Sequence, residues 1–258
     1  MTNKLKVFLR NNLPRPMYRV MCSIKEYIDI AHFVLRDTPH TRLRDRYSVI
    51  RQMHIISARI YCPHTTSEIL TYIRTILSLP DHSRGVVVEA GCFRGGSTAK
   101  FSLAANIAKR TLVVFDFFEG IPDNNESHEI NIFGGKAEFR KGSYAASLEE
   151  VQENVKKYGN IESCRFIKGW FENTMPTFKE EIAAIYLDVD LASSTRTCIK
   201  YLYPLLEQGG ALYSQDGHLP LVLELVNDDK FWLNEVGCSK PIIDGIWEKK
   251  LIRMVKTA

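Results

Sequence analysis

The stretch GVVVEAG, residues 85–91, combines a continuous apolar run with a turn of small residues. Val86, Val87 and Val88 are β-branched, and an apolar run without polar alternation is typical of a strand buried on both faces. Such strands occur where helices cover both sides of a parallel sheet. The stretch therefore predicts an α/β fold with this segment as a buried strand.

The chain after Gly85 alternates between strand-like and helix-like segments. Further strands are predicted at TLVVFD, CRFIKG, AAIYLDVD and ALYSQD, and helices at STAKFSLAANIAKR, SLEEVQENVKKYG and residues 195–206. This alternation favours a mostly parallel, doubly wound sheet. The stretch PIIDGIWEKKLIRMVK is typical of a hairpin that turns near Lys249 and Lys250, so we expect an antiparallel C-terminal edge.

Helical patterns dominate the chain before Gly85, over residues 17–34, residues 42–61 and a segment that begins at TTSE. In TTSE, Thr65 and Glu68 have the spacing of a capping box ahead of an apolar run. We therefore predict an N-terminal helical cap or lid, residues 1–80, and a larger domain, residues 81–258.

Composition limits the class of protein. The 258 residues are 45% hydrophobic, which is enough for one α/β core with an appendage, and the net charge of +4 is too small to indicate nucleic-acid binding. The six cysteines form no C-x-x-C pair. Together with the lack of a membrane-spanning run or a signal-peptide pattern, this favours a reduced, cytoplasmic protein.

The N-terminal segment is basic before its first acid, Glu26. Its cations are Lys4, Lys6, Arg10, Arg15, Arg19 and Lys25, and apolar residues lie between them. One interpretation is peripheral contact with a membrane surface or an acidic ligand. The alternative, which we favour, is a solvated helical cap or a dimerisation arm.

Candidate ligand-binding residues follow each predicted parallel strand, where open α/β sheets bind their ligands. They are Glu89, Gly91, Phe93, Arg94, Gly95 and Ser97 after the first strand, Asp116 after the second, Gly169 and Trp170 after the third, Asp188 and Asp190 after the fourth, and Gln215, Asp216 and His218 after the fifth. Acids dominate this set, and Asp188 and Asp190 are two positions apart, where the period of two along a strand would point both side chains the same way. The set favours a ligand with hydroxyls and positive charge over one rich in phosphate.

The loop after the first strand indicates the class of cofactor. Its GCFRGG pattern lacks the G-x-G-x-x-G spacing of dinucleotide-binding loops, which disfavours a Rossmann dehydrogenase. Glu89 can accept hydrogen bonds from an amino group, and Asp116 is placed to bind both hydroxyls of a ribose. A ligand with an aminoacyl group and a ribose but no phosphate is S-adenosylmethionine.

Five ordered blocks carry a resemblance to a known family: VVVEAGCFRGGSTA, FDFFEGIP, KGWFENTMP, LDVDLASST and YLYPLLEQGGALYSQD. Together they resemble the macrocin O-methyltransferase (TylF-like) family, class I methyltransferases that modify sugar hydroxyls in bacterial natural products. The resemblance implies a Rossmann-like sheet, S-adenosylmethionine as methyl donor, and a magnesium-assisted site. It also implies a homodimer whose N-terminal helices cover the pocket.

The resemblance also implies roles for the acids after the fourth and fifth strands. Asp188 becomes a metal ligand at the cofactor site, and Asp190 the general base for the acceptor hydroxyl. Gln215 and Asp216 become further metal ligands, at positions where the family usually carries two adjacent acids. A Gln carbonyl oxygen can bind a hard cation but adds no charge, so we expect weaker magnesium binding or a lost metal. His218 is an alternative base.

The roles of Trp170 and Arg94 stay open in the sequence. Trp170 is either an adenine platform or a core aromatic, and Arg94 either meets the methionine carboxylate or is solvated. The segment 122–144 is long for a connector and is predicted to form a flap over the acceptor. The acceptor is predicted to be a sugar or glycosylated small molecule, with a membrane glycolipid, a surface polysaccharide precursor and a non-catalytic binding protein as alternatives.

Overall fold

The computed structural model describes residues 15–35, 41–126 and 129–257, with side chains from residue 24 onward. Its helices are α1 (Arg15–Leu35), α2 (Leu43–Arg59), α3 (Thr66–Leu77), α4 (Gly96–Ile107), α5 (Leu148–Tyr158), α6 (Phe171–Thr174), α7 (Ala192–Leu202), α8 (Pro220–Asn227) and α9 (Asp229–Phe231). Its strands are β1 (Val86–Ala90), β2 (Leu112–Asp116), β3 (Cys164–Lys168), β4 (Ile182–Leu187), β5 (Leu206–Ser214), β6 (Ile243–Asp244) and β7 (Ile252–Val255). Predictions for the basic segment that fall on residues 1–14 lie outside the described residues.

The strands form one seven-stranded sheet in the order β3-β2-β1-β4-β5-β7-β6. The pairs from β3 through β5 are parallel, whereas β7 pairs antiparallel with both β5 and β6. The predicted mostly parallel sheet and its antiparallel C-terminal hairpin are therefore confirmed. The strand order reverses between β1 and β4, and such a point in an open α/β sheet favours a ligand crevice.

Both faces of the sheet are buried, as the apolar run in β1 predicts. Val87 belongs to a core cluster shared with helices α1 to α5, whereas Val88 belongs to a second cluster shared with α7 and α8. Neighbouring residues on a strand point to opposite faces, so an uninterrupted apolar strand supplies both clusters. The sheet is thus the middle layer between two layers of helices.

Helix α3 attaches the N-terminal helices to the sheet. Thr65 caps it, with the reciprocal contact from Glu68 that the sequence predicts. The Tyr72 hydroxyl lies 2.9 Å from the carbonyl oxygen of Val88 and 3.0 Å from that of Ala184, two strand residues in the buried sheet. The division at residues 80 and 81 stays a prediction, although both parts contribute to the first core cluster.

Two boundaries near the strand ends differ from the predicted ones. Helix α7 begins at Ala192 rather than Thr195, because the Glu126 carboxylate accepts hydrogen bonds from the Ala192 and Ser193 amides at 2.7 and 2.8 Å. Strand β5 begins at Leu206, earlier than the predicted segment ALYSQD. Over residues 15–35, 41–126 and 129–257, none of the helices has the length and apolar character needed to span a bilayer.

Candidate active site

A cavity of about 510 Å³ opens at the carboxyl ends of the parallel strands. Ten predicted residues line it: Gly91, Phe93, Ser97, Asp116, Gly169, Trp170, Asp188, Asp190, Asp216 and His218. The connection between α2 and α3 adds Tyr61, Cys62, Pro63 and His64. The predicted flap adds residues such as Pro122 and Tyr144, and the C-terminal hairpin adds Lys250. The volume is in the range of small-molecule and cofactor sites.

Gly91 lets two strand ends approach each other at the floor of the cavity. Its φ is +81°, and a Cβ at this position would lie 2.0 Å from the carbonyl oxygen of Asp188. Only glycine fits both constraints. Gly95, which precedes α4 with φ of +77°, is also left-handed, but it does not line the cavity and instead packs against Val151 of α5.

One end of the cavity is built around Asp116. Its Oδ2 accepts a hydrogen bond from the Cys92 amide at 2.8 Å, and its Oδ1 accepts one from the Phe118 amide at 2.6 Å. These bonds fix the carboxylate at the end of β2, and each oxygen keeps a further lone pair for a ligand hydroxyl. Trp170 stacks on Phe117 with ring centroids 3.8 Å apart and is 38% exposed, so it is a cavity-wall aromatic and not a core residue.

Three aromatic rings from separate segments meet at the cavity. Phe93, from the β1–α4 loop, contacts Tyr61 before α3 and Tyr144 at the end of the flap segment, with centroid distances of 6.5 and 5.5 Å. Phe93 has φ of +46°, an uncommon backbone conformation for a bulky residue. The strained loop therefore presents Phe93 where the helical cap and the flap converge.

Besides Gly95, two further residues predicted to contact the cofactor do not line the cavity. Glu89 is fully buried beneath the cavity wall, where the Thr98 hydroxyl donates to its Oε2 at 2.6 Å. Arg94 points outward and pairs with Glu150 of α5 at 3.4 Å. The side chain of Glu89 points into the protein because successive residues of β1 alternate between the two faces of the sheet. The side chain of Arg94 pairs with a carboxylate at the protein surface.

Burial raises the pKa of Glu89 to about 8 from an ordinary value of 4.5. Between these values the folded protein holds a proton that the unfolded chain has released, so this residue makes the free energy of unfolding fall as pH rises. Urea unfolding at about pH 5 and about pH 8.5 is expected to show a smaller decrease in Glu89→Gln than in the wild type. Equal decreases in both proteins would contradict this assignment.

The other end of the cavity holds three carboxylates. Asp188, Asp190 and Asp216 each offer an oxygen, and these oxygens lie within 4.8 Å of one another. The sequence predicts that strand alternation brings Asp188 and Asp190 together, but this reason is wrong because β4 ends at Leu187 and Asp190 has φ of +61°. A turn joins them instead: Asp216 Oδ2 accepts hydrogen bonds from the Val189 and Asp190 amides at 3.0 and 3.1 Å.

Clustering changes the proton affinity of these carboxylates. Burial and the neighbouring Asp216 and Asp188 carboxylates raise the pKa of Asp190 well above its ordinary value. Burial and the Asp188 charge raise the pKa of Asp216 to about 7. Burial opposes ionisation of Asp188 too, but the His64 imidazole outweighs it and lowers the pKa of Asp188. Such a cluster is stabilised by a proton or a cation.

The donor set fits a divalent metal ion. Three carboxylates are hard oxygen ligands, and Asp216 Oδ1 is a buried atom without a hydrogen-bond partner among the described residues. Gln215, predicted as a ligand, is not on the cavity wall: its Oε1 accepts a hydrogen bond from the Tyr186 hydroxyl at 3.1 Å. A buried amide oxygen needs such a donor, which explains why Gln215 turns inward.

His218 lines the cavity but is a weak base. Burial and the neighbouring Lys250 lower its pKa to about 4, so the imidazole is neutral at physiological pH. Its carbonyl oxygen accepts a hydrogen bond from the Ile132 amide at 3.0 Å, which ties the flap segment to the end of β5. The structure thus gives His218 an observed role in attaching the flap.

Sequence reasoning did not identify His64 or Lys250. His64 Nε2 lies 2.9 Å from Asp188 Oδ2, and its side chain is only 2% exposed. Lys250 lines the cavity, and its charge lowers the pKa of all three acids. A histidine before a helix cap and a lysine in a hairpin carry no local signal for a site, because tertiary packing alone brings them to the acids.

The fold and the cavity define a class I methyltransferase. Residues 70–239 match the macrocin O-methyltransferase (TylF) family, and the chain belongs to this family. Because the chain belongs to a methyltransferase family, it is not the Rossmann dehydrogenase that the sequence analysis considers.

Two curated relatives are similar over comparable lengths. The 8-demethyl-8-(2,3-dimethoxy-alpha-L-rhamnosyl)-tetracenomycin-C 4'-O-methyltransferase of Streptomyces olivaceus is 33% identical over 186 residues, 67% of this chain and 67% of the relative. The mycinamicin III 3''-O-methyltransferase of Micromonospora griseorubida is 32% identical over 174 residues, 65% of this chain and 67% of the relative.

Solved structures share the fold. The O-methyltransferase NovP superimposes with a TM-score of 0.67 at 22% identity, over 83% of this chain and 100% of NovP. The calicheamicin methyltransferase CalS11 gives a TM-score of 0.56 at 16% identity, over 86% of this chain and 94% of CalS11. At these identities the likeness establishes the Rossmann-like class I architecture alone.

Proposed function

We propose that this methyltransferase transfers a methyl group from S-adenosylmethionine to a hydroxyl of a sugar or glycosylated small molecule, with help from a divalent cation. The proposal rests on one observation: Asp116, a carboxylate suited to bind ribose hydroxyls, lines the same cavity as the cluster of Asp188, Asp190 and Asp216. The Streptomyces olivaceus relative is named for methylation of a rhamnosyl-bearing tetracenomycin, which supports this class of acceptor.

The residues around Asp116 fit the nucleoside part of the cofactor. We assign the ribose hydroxyls to the Asp116 carboxylate and the adenine to the exposed face of Trp170, whose other face is held by Phe117. Gly91 and Gly169 leave the wall free of side chains, so a ligand can lie against the backbone. When bound, S-adenosylmethionine supplies an electrophilic methyl group on a sulfonium centre.

The acid cluster fits the activation of the acceptor. We assign Asp188 and Asp216 as metal ligands and Asp190, in its ionised form, as the base that accepts the hydroxyl proton; once ionised, a carboxylate with a raised pKa binds that proton more strongly. A bound divalent cation would polarise the acceptor oxygen and offset the charge of the cluster. The walls of the cavity would hold the oxygen in line with the methyl group.

Metal removal tests the cation part of the proposal. Dialysis against a chelator is expected to lower methyl transfer at least about tenfold, and added Mg²⁺ is expected to restore it, because the acids would otherwise hold protons or repel one another. Turnover of chelated protein equal to that of Mg²⁺-loaded protein would contradict the assignment. Parallel titrations with Ca²⁺ and Mn²⁺ identify the preferred ion.

Calorimetric titration with S-adenosylhomocysteine tests the cofactor part without knowledge of the acceptor. One binding site per chain and displacement by S-adenosylmethionine are expected. Methyl transfer from labelled S-adenosylmethionine is then measured against a panel of deoxysugar glycosides and matched aglycones. Labelling of glycosides only would support a sugar hydroxyl as acceptor, and labelling of aglycones would overturn it.

The proposed assembly is a homodimer in the cytoplasm. Apolar side chains are exposed on α1 and α2, among them Ile24, Tyr27, Leu35 and Tyr47, and a second copy would cover them. The five cysteines whose side chains are described are all free thiols, which supports a reducing compartment. Light scattering of the purified protein tests the dimer.

A further inference from the structure

The observation that leads beyond the proposed function is the contact of His64 with the acid cluster. His64 lies before the cap of α3, outside the residues 70–239 that match the family. Its Nε2 lies 2.9 Å from Asp188 Oδ2, which is a hydrogen-bond distance. The side chain of His64 is 2% exposed, whereas that of Asp188 is 24% exposed toward the cavity.

The surroundings of His64 hold the imidazole in one orientation. The adjacent Thr65 is fixed by its capping box with Glu68, so the backbone at His64 is constrained on the helix side. The ring packs edge-on against Tyr186, with centroids 6.1 Å apart. Tyr186 is itself fully buried and bonded to Gln215.

The chemistry of the imidazole limits what His64 can do. Its Nδ1 is buried and has no hydrogen-bond partner among the described residues, so this nitrogen is not exposed to the cavity. Nε2 is directed at the carboxylate and donates to it. His64 lines the cavity, and the polar contact that its side chain makes among the described residues is with Asp188.

We propose that His64 is a positioning residue that orients the Asp188 carboxylate for cation binding by donating a hydrogen bond from Nε2 to Oδ2. The bond engages Oδ2 of Asp188 and so fixes the orientation of the carboxylate beside Asp190 and Asp216, with Oδ1 available to a cation. Hydrogen bonds to ligating carboxylates commonly change metal affinity by about 10–100-fold. This inference rests on the proposed metal site, and it assigns a function to a residue of the N-terminal helical segment.

Mn²⁺ binding, measured by calorimetry on protein freed of metal, tests the inference without an acceptor. His64→Leu removes the donor and is expected to weaken Mn²⁺ binding about 10–100-fold. His64→Gln carries an amide nitrogen near the position of Nε2 and is expected to restore affinity to within about threefold. His64→Asn carries it near the position of Nδ1 and should stay as weak as His64→Leu. His82→Leu, at an exposed loop histidine, is the matched control and should bind as the wild type does.

The outcomes separate this inference from the proposed function. Wild-type affinity in His64→Leu, or equal weakness in the Gln and Asn variants, overturns the positioning role alone. Absence of Mn²⁺ binding in the wild type overturns the role and the metal site together, while S-adenosylhomocysteine binding in the same samples reports on the cofactor site. Circular dichroism confirms folding, and if His64→Leu does not fold, the Gln and Asn variants decide.

Discussion

Asp190→Asn is expected to lower the turnover number by about 10²–10⁴-fold, because a positioned general base contributes about this much to proton-transfer reactions. The variant removes the proton acceptor but keeps the shape of the side chain. Asparagine tolerates the left-handed backbone of this residue, whose φ is +61°, so the turn that joins the acids should persist. The Asp190 amide also keeps its bond to Asp216.

The measurement is methyl transfer with the acceptor found in the glycoside panel, together with S-adenosylhomocysteine binding. Binding within about threefold of the wild type is expected, because Asp190 does not belong to the nucleoside end of the cavity. Asp123→Asn is the matched control, since Asp123 also lines the cavity but is outside the acid cluster. Undiminished turnover in Asp190→Asn would exclude it as base. No turnover in the wild type with any acceptor would favour the alternative of a non-catalytic binding protein.

Gly91→Ala is expected to have the second large effect, a loss of at least about 2–4 kcal/mol of unfolding free energy together with cofactor binding. A Cβ at Gly91 would lie 2.0 Å from the Asp188 carbonyl oxygen, and a backbone atom in the buried sheet cannot move away cheaply. Relief of the clash would push apart the ends of β1 and β4, where the Asp188 amide donates to the Ala90 carbonyl oxygen at 2.9 Å, and would displace Asp188.

Gly237→Ala is a control that separates the effect of the clash on the free energy of unfolding from the effect of a left-handed backbone. Its φ of +83° nearly equals that of Gly91, and a Cβ there would meet nothing within 4 Å. The control is expected to lose only about 1–2 kcal/mol, the cost of a left-handed alanine, and to bind S-adenosylhomocysteine normally. Urea unfolding and calorimetry provide both quantities. Equal losses in the two variants would show that the close approach at Gly91 has no energetic consequence.

The sheet could be predicted from the sequence because its signals are local. Val86, Val87 and Val88 mark a strand buried on both faces, and polar residues at or shortly after the ends of β2, β4 and β5 bring chemistry to the same edge of the sheet. Asp116, Asp188 and Asp216 were reached by this reasoning and all line the cavity. The loop after the first strand and Asp116 indicate the cofactor class, and the family resemblance adds the metal and the roles of Asp188 and Asp190, which periodicity alone does not contain.

The parts that could not be predicted depend on contacts between distant segments. His64 and Lys250 reach the acids through the packing of the helical cap and the hairpin, and neither position has a pattern that marks it. Gln215 is predicted as a ligand because the family carries an acid at this position, but its Oε1 turns away from the cavity and accepts a hydrogen bond from the Tyr186 hydroxyl. Asp190 reaches the cluster through a left-handed turn, which strand periodicity does not describe.

A crystal structure of the S-adenosylhomocysteine complex grown with Mn²⁺ would test the central claim most directly. We expect the ribose on Asp116, the thioether sulfur facing the acid cluster, and one anomalous manganese peak between Asp188 and Asp216. A nucleoside bound outside the cavity, or a sulfur atom directed away from Asp188, Asp190 and Asp216, would contradict it.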